Sequence, residues 1–142
     1  MAVIVDYRPP GTLHPLHAVF LAGALPLFAG ALLSDIAYAR TYEIQWNNFA
    51  SWLIAGGLVL SAIALVFALA GVLRSRHRTV GRIGYLLLLA AAWIVQLFNA
   101  LMHARDAWAS MPGGLVLSVI GTVLMVVAVW LGFHTARHGA RP

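Results

Sequence analysis

A chain of 142 residues that is 62% hydrophobic and only 9% charged, with a mean hydropathy of +0.89, carries more apolar side chain than a soluble globule of its size can bury, so the surplus must face lipid. The absence of cysteine excludes a disulfide frame, a thiol nucleophile and a thiolate metal site. Nine basic residues, all arginine, give a net charge of +5, but they cluster in short segments beside apolar spans, a topogenic pattern that argues against nucleic-acid binding.

The opening "MAVIVDYRPPG" has no basic stretch ahead of its short apolar run, and Pro9-Pro10-Gly11 interrupts it, so it does not read as a cleavable signal peptide. Four stretches then follow that can cross a hydrocarbon layer of ~30 Å at 1.5 Å per residue: residues 15–38, 50–73, 82–103 and 114–133. The first begins at Pro15, a residue suited to the first helical position, contains Pro26, which predicts a kink, and ends near Asp35. "ARTYEIQWNNF" links it to the second span, "RSRHRTV" links the second to the third, and "ARDAWASMPG" leads to the fourth. The linkers are short, so neighbouring helices should pack antiparallel. Gly30 and Ser34, Gly57 and Ser61, and Gly121 supply small residues for close helix approach. The first and third spans both exit through Ala-Arg (39–40 and 104–105), a hint of duplication. The expected fold is an all-α integral membrane protein, one antiparallel bundle of four transmembrane helices.

Orientation follows from the arginines. Arg8, Arg74, Arg76, Arg78, Arg82, Arg137 and Arg141 fall on one side, whereas Arg40 and Arg105 fall on the other with Asp35, Glu43 and Asp106. The imbalance predicts cytoplasmic termini. Trp46, Trp52 and Trp108 would then line the opposite interface.

Polar residues inside spans are costly and are candidate functional groups. In the third span Gln96, Asn99 and His103 fall on one stripe at 100° per residue, with Tyr85 further along it, Asp106 extending it and Trp93 beside it. Asp35 sits at a depth similar to that of His103. Pairing with His103, Arg105 or Arg40 would neutralise the carboxylate, either as a polar latch that fixes helix register or as a site for a proton or a quinone head group. At the other end, His14 and His17 of the first helix lie at the depth of His134 and His138 of the last, spaced i, i+4. Two imidazoles on facing helices can hold haem iron axially, and depth favours His17 and His134. Ordinary interfacial histidines are the alternative, as for His77 in the arginine-rich linker. No HExxH, P-loop or GxSxG motif is present, and the four acidic residues are scattered, which disfavours an autonomous enzyme.

The His-Pro-Leu that opens the first helix, Asp35 near its end, "FNALMHARDAW", "GLVLS" and the closing "WLGFHTARHG" resemble a family of small bacterial membrane proteins catalogued as domain of unknown function 2231. The resemblance runs from about Leu13 to Gly139. It implies a four-helix inner-membrane protein and, since similar domains occur beside redox proteins, a respiratory or electron-transfer setting. Carried over by position, it falls on His14, Asp35, Asn99, His103, Arg105, Asp106 and His138. It thus favours His14 and His138 where depth favours His17 and His134. The ending also departs from the family pattern, with His134 where many relatives carry an acidic residue.

The sequence therefore leads to a bacterial inner-membrane module of an electron-transfer assembly, with b-type haem held among His14, His17, His134 and His138 near the cytoplasmic face. A polar site of Asp35, Gln96, Asn99, His103, Arg105 and Asp106 is expected near the outer face. Other membrane subunits or further copies of the chain are the expected partners. A cofactor-free structural or assembly subunit is the alternative.

Overall fold

The computed structural model describes residues 13–75 and 80–138. Arg8, Arg76, His77, Arg78 and Arg141 lie outside the described residues, as do the side chains of Arg137 and His138. Five helices occur among the described residues: α1 (Pro15–Thr41), α2 (Ile44–Arg74), α3 (Val80–His103), a single turn α4 (Ala107–Ser110) and α5 (Gly113–His138). All but α4 are long and apolar enough to cross a membrane. The protein is thus an all-helical, multi-pass membrane protein whose surroundings are a lipid bilayer. Both α1 and α3 pack against α2 and α5, which places α1 and α3 across a diagonal of the bundle.

The helices are longer than the apolar spans suggest. "ARTYEIQWNNF", expected as a linker, is helical except for Tyr42 and Glu43. The correction has a local cause. Tyr42 adopts a left-handed conformation (φ 57°) and returns its N–H to the Tyr38 carbonyl at 2.8 Å, which caps α1 and reverses the chain within two residues. Polar residues at the ends of α1 and α2 stay helical because backbone hydrogen bonding does not stop where the hydrocarbon does. Asp106 precedes a helical turn, α4, in what the sequence presents as a plain linker. At the other end of α1, His14 is the N-cap and its Nδ1 accepts from the Leu16 N–H at 3.3 Å. The helix runs unbroken through Pro26.

Each long helix buries a seam whose spacing alternates between four and three residues. In α1 the seam is His17, Leu21, Ala24, Phe28, Ala31, Asp35 and Tyr38; in α2 it is Asn47, Ala50, Ile54, Gly57, Ser61, Ala64 and Ala68. In α3 it is Leu89, Ala92, Gln96, Asn99 and His103, and in α5 Gly114, Ser118, Gly121, Met125, Ala128 and Gly132. Such spacing keeps one stripe inward in helices that supercoil left-handedly, as in most four-helix bundles. Here the stripes mix small and polar residues with a few large ones such as Leu21, Phe28, Ile54, Leu89 and Met125, while Val19, Leu33, Val66, Leu87, Phe98 and Val123 point outward. Lipid makes outward apolar residues inexpensive, so close backbone approach decides what lies inside.

Phe28 illustrates the fit. A Cβ on Gly57 would stand 2.5 Å from the Phe28 ring, so only glycine there leaves room for it. Thr122 of α5 donates to the Phe28 carbonyl at 3.3 Å, and the Trp93 indole of α3 donates to the Leu58 carbonyl of α2 at 3.1 Å. Leu21, Ala24, Phe28, Leu89, Met125 and Ala128 form the dry middle of the core. Trp46, Trp52 and Trp108 are exposed at the end of the bundle that holds the α1–α2 turn, Trp108 stacked on Tyr42.

Candidate functional site

The heptad seams bring polar side chains from three helices to one point near the α1–α2 turn. Asp35 of α1 is 0% exposed and His103 of α3 is 5% exposed, so both are sealed from solvent and lipid. His103 Nε2 lies 2.7 Å from Asp35 Oδ1, and its Nδ1 lies 3.0 Å from the Asn99 carbonyl oxygen. A carbonyl only accepts, so Nδ1 carries a proton. The Nε2–Oδ1 contact then holds one further proton, shared as imidazole and carboxylic acid or as imidazolium and carboxylate. Either form leaves the pair neutral overall, the condition a low-dielectric core tolerates best.

The second carboxylate oxygen is satisfied by α5. The Ser118 hydroxyl donates to Asp35 Oδ2 and accepts from Asn99 Nδ2 at 2.8 Å. Asn99 Nδ2 also reaches Gln96 Oε1 at 3.0 Å. Antiparallel register sets α5 to receive this stripe. Gly114 faces His103, where a Cβ would meet Cε1 at 2.8 Å. Gly121 faces Gln96, where a Cβ would meet Cδ and Nε2 at 2.6 Å. Glycine, serine and glycine at 114, 118 and 121 thus answer histidine, asparagine and glutamine at 103, 99 and 96. At the mouth of the bundle, the Ser110 hydroxyl of α4 lies 2.6 Å from the Ala107 carbonyl and 3.1 Å from Asn47 Oδ1 of α2.

Of the residues singled out in the sequence, Asp35, Gln96, Asn99 and His103 meet here. Arg105 and Asp106 do not: both are exposed, Arg105 lying 3.9 Å from the Met102 sulfur. Arg40 is exposed as well. The helical turn after His103 carries these groups out to the water interface, where a charge is solvated at little cost. Ser118 is the member that sequence reasoning missed. A serine in a span most often bonds back to its own helix, as Ser34 does to Gly30 and Ser61 to Gly57. Its signals are its place at the end of "GLVLS" and its position between Gly114 and Gly121 on one helix face.

Tyr85, on the same α3 stripe, serves the opposite end. His17 Nε2 lies 2.9 Å from Tyr85 Oη, and Gly132 gives the phenol room. His14 and His17 both stack on Phe67 of α2, with centroids 5.4 and 6.0 Å away. His134 is exposed, its ring 5.1 Å from Trp130, in a groove also lined by Leu25, Val126, Val129 and Phe133. An axial haem pair needs two imidazoles aimed at one iron from opposite sides. Here His17 Nε2 meets Tyr85 inside the bundle while His134 lies exposed outside it, so these two do not fit as an axial haem pair; the His138 side chain, paired with His14 by the family pattern, lies outside the described residues. Nor does any group of three or more histidines and carboxylates gather as a metal site among the described residues.

Comparison with curated proteins and with solved structures finds no match to this chain. A family model does match, over residues 13–140, and so takes in every residue of the polar node and both diagonal contacts. The chain belongs to the family described as predicted membrane protein, DUF2231.

Proposed function

We propose that this protein is a bacterial inner-membrane module that holds one exchangeable proton in its core, near the periplasmic face, and serves an electron-transfer or respiratory assembly in that capacity. The observation that carries this reading is the 2.7 Å contact between Asp35 and His103, two titratable groups buried in the bundle. Such groups inside a membrane are expensive and are kept mainly where they act. The arginine asymmetry favours cytoplasmic termini, which puts the pair on the periplasmic side. Complete burial favours a proton over a quinone head group, since a head group needs the helices to part and a proton does not. The reading requires no haem.

The test is nitrogen NMR of histidine-labelled protein in lipid nanodiscs, with His103 assigned by substitution. Its ring signals should respond to pH as a single protonation and change character in Asp35→Asn. A His103 signal that stays constant wherever the protein remains folded would sink the proposal. In cells, the double variant Asp35→Leu/His103→Leu, which strands neither partner, should abolish the activity of the assembly served while protein levels stay normal.

A second reading has its own support. The same hydrogen bonds join α1, α3 and α5, as a register latch in an assembly subunit would require. Collapse of protein levels in that double variant would favour this second reading.

A further inference from the structure

Gln96 and Asn99 lie one turn apart on α3 and are 1% and 0% exposed. Their two amides are joined by one hydrogen bond, Asn99 Nδ2 to Gln96 Oε1, and Asn99 Nδ2 also serves Ser118. Gln96 Nε2 and Asn99 Oδ1 are left buried without a partner. Turning both amides over exchanges the two roles but leaves the same remainder, one amide NH₂ and one carbonyl. Turning over only one sets donor against donor or acceptor against acceptor at 3.0 Å. No choice of orientation satisfies both amides from within the protein. In a bundle surrounded by lipid no bulk water reaches them, and an unmet polar group there is costly.

The fold nevertheless makes room for this arrangement. Gly121 lies flush against the Gln96 amide, where a Cβ would come within 2.6 Å of Cδ and Nε2. A leucine at position 96 would suit a dry seam, as Leu89 does two turns away. We propose that Gln96 and Asn99 together bind one internal water molecule, which accepts from the Gln96 amide and donates to the Asn99 carbonyl. Water is the ligand class that can both donate and accept yet is small enough to be enclosed completely. It completes a hydrogen-bonded string from Gln96 through Asn99 and Ser118 to Asp35 and His103, and it holds the Asn99 amide in the orientation that Ser118 needs. The site follows from counting donors and acceptors and does not depend on the proton reading of Asp35.

The experiment is NMR of the full chain in nanodiscs, reading magnetisation transfer from water to the side-chain amide protons of residue 96. The expected result is a water cross-peak to the Gln96 amide that persists in Asp35→Asn. Absence of a water cross-peak to Gln96 in the folded wild-type protein overturns the proposal, whether or not any variant folds. Failure of His103 to respond to pH would leave the water site standing and remove only the proton reading.

Discussion

At the scale of the residue, the central fact is a buried carboxyl group with both oxygens hydrogen-bonded. Removing one member of a buried pair strands the other, at a cost of about 3–5 kcal/mol. Asp35→Leu is therefore expected to lower the stability of the folded bundle by roughly that amount in a detergent-unfolding titration. The double variant Asp35→Leu/His103→Leu should recover most of the loss. A double variant no more stable than the single one would show that Ser118 and Asn99, and not His103, carry the energetic weight. Tyr85→Phe removes the hydroxyl that meets His17 and should cost about 1 kcal/mol, the usual worth of one hydrogen bond between spans. The partnership of Asp35 and His103 was legible in the sequence as one of three options, beside Arg105 and Arg40, because depth along a helix follows directly from residue count. Ser118 and the His17–Tyr85 contact were not, since each depends on which helices face each other across the bundle.

At the scale of the element, the span count came readily from hydropathy, whereas the inward faces did not. In a soluble helix apolar residues mark the core; here Val66 and Ala64 are both apolar, yet one faces out and the other in. Small residues gather inward where backbones approach, but Leu21, Phe28 and Met125 lie there too, so the alternating three- and four-residue spacing is what separates the faces. The same logic makes the glycines sensitive. Gly57→Ala should destabilise the bundle by about 1–3 kcal/mol through overpacking against Phe28, and a compensating Phe28→Leu should restore part of it. Gly71→Ala, where an added Cβ meets nothing within 4 Å, should be close to neutral in the same thermal-melt series. Equal effects at the two positions would mean that helix propensity and not packing governs both.

At the scale of the whole molecule, orientation can be read directly because the chain has no cysteine. Arg105→Cys should react with a membrane-impermeant maleimide in intact cells, whereas Arg74→Cys should react only after the membrane is breached; the reverse pattern would invert the topology. Protein purified from haem-supplied cells should show no α-band in a reduced-minus-oxidised spectrum, as expected when His17 is committed to Tyr85. A stoichiometric band would mean that this end of the bundle rearranges to take iron. The two contacts across the α1–α3 diagonal, His17–Tyr85 and Asp35–His103, each join residues 68 apart. They therefore lie at matched levels, eighteen residues apart along both helices, or about 27 Å at 1.5 Å per residue. In mechanical terms, four antiparallel helices form a four-bar frame, which one diagonal brace is enough to hold square. This frame is braced at both rims and left unbraced midway. Midway the cross-section is held along its sides instead, by the Thr122–Phe28 and Trp93–Leu58 bonds, and a shear imposed at one rim reaches the other only by straining its brace.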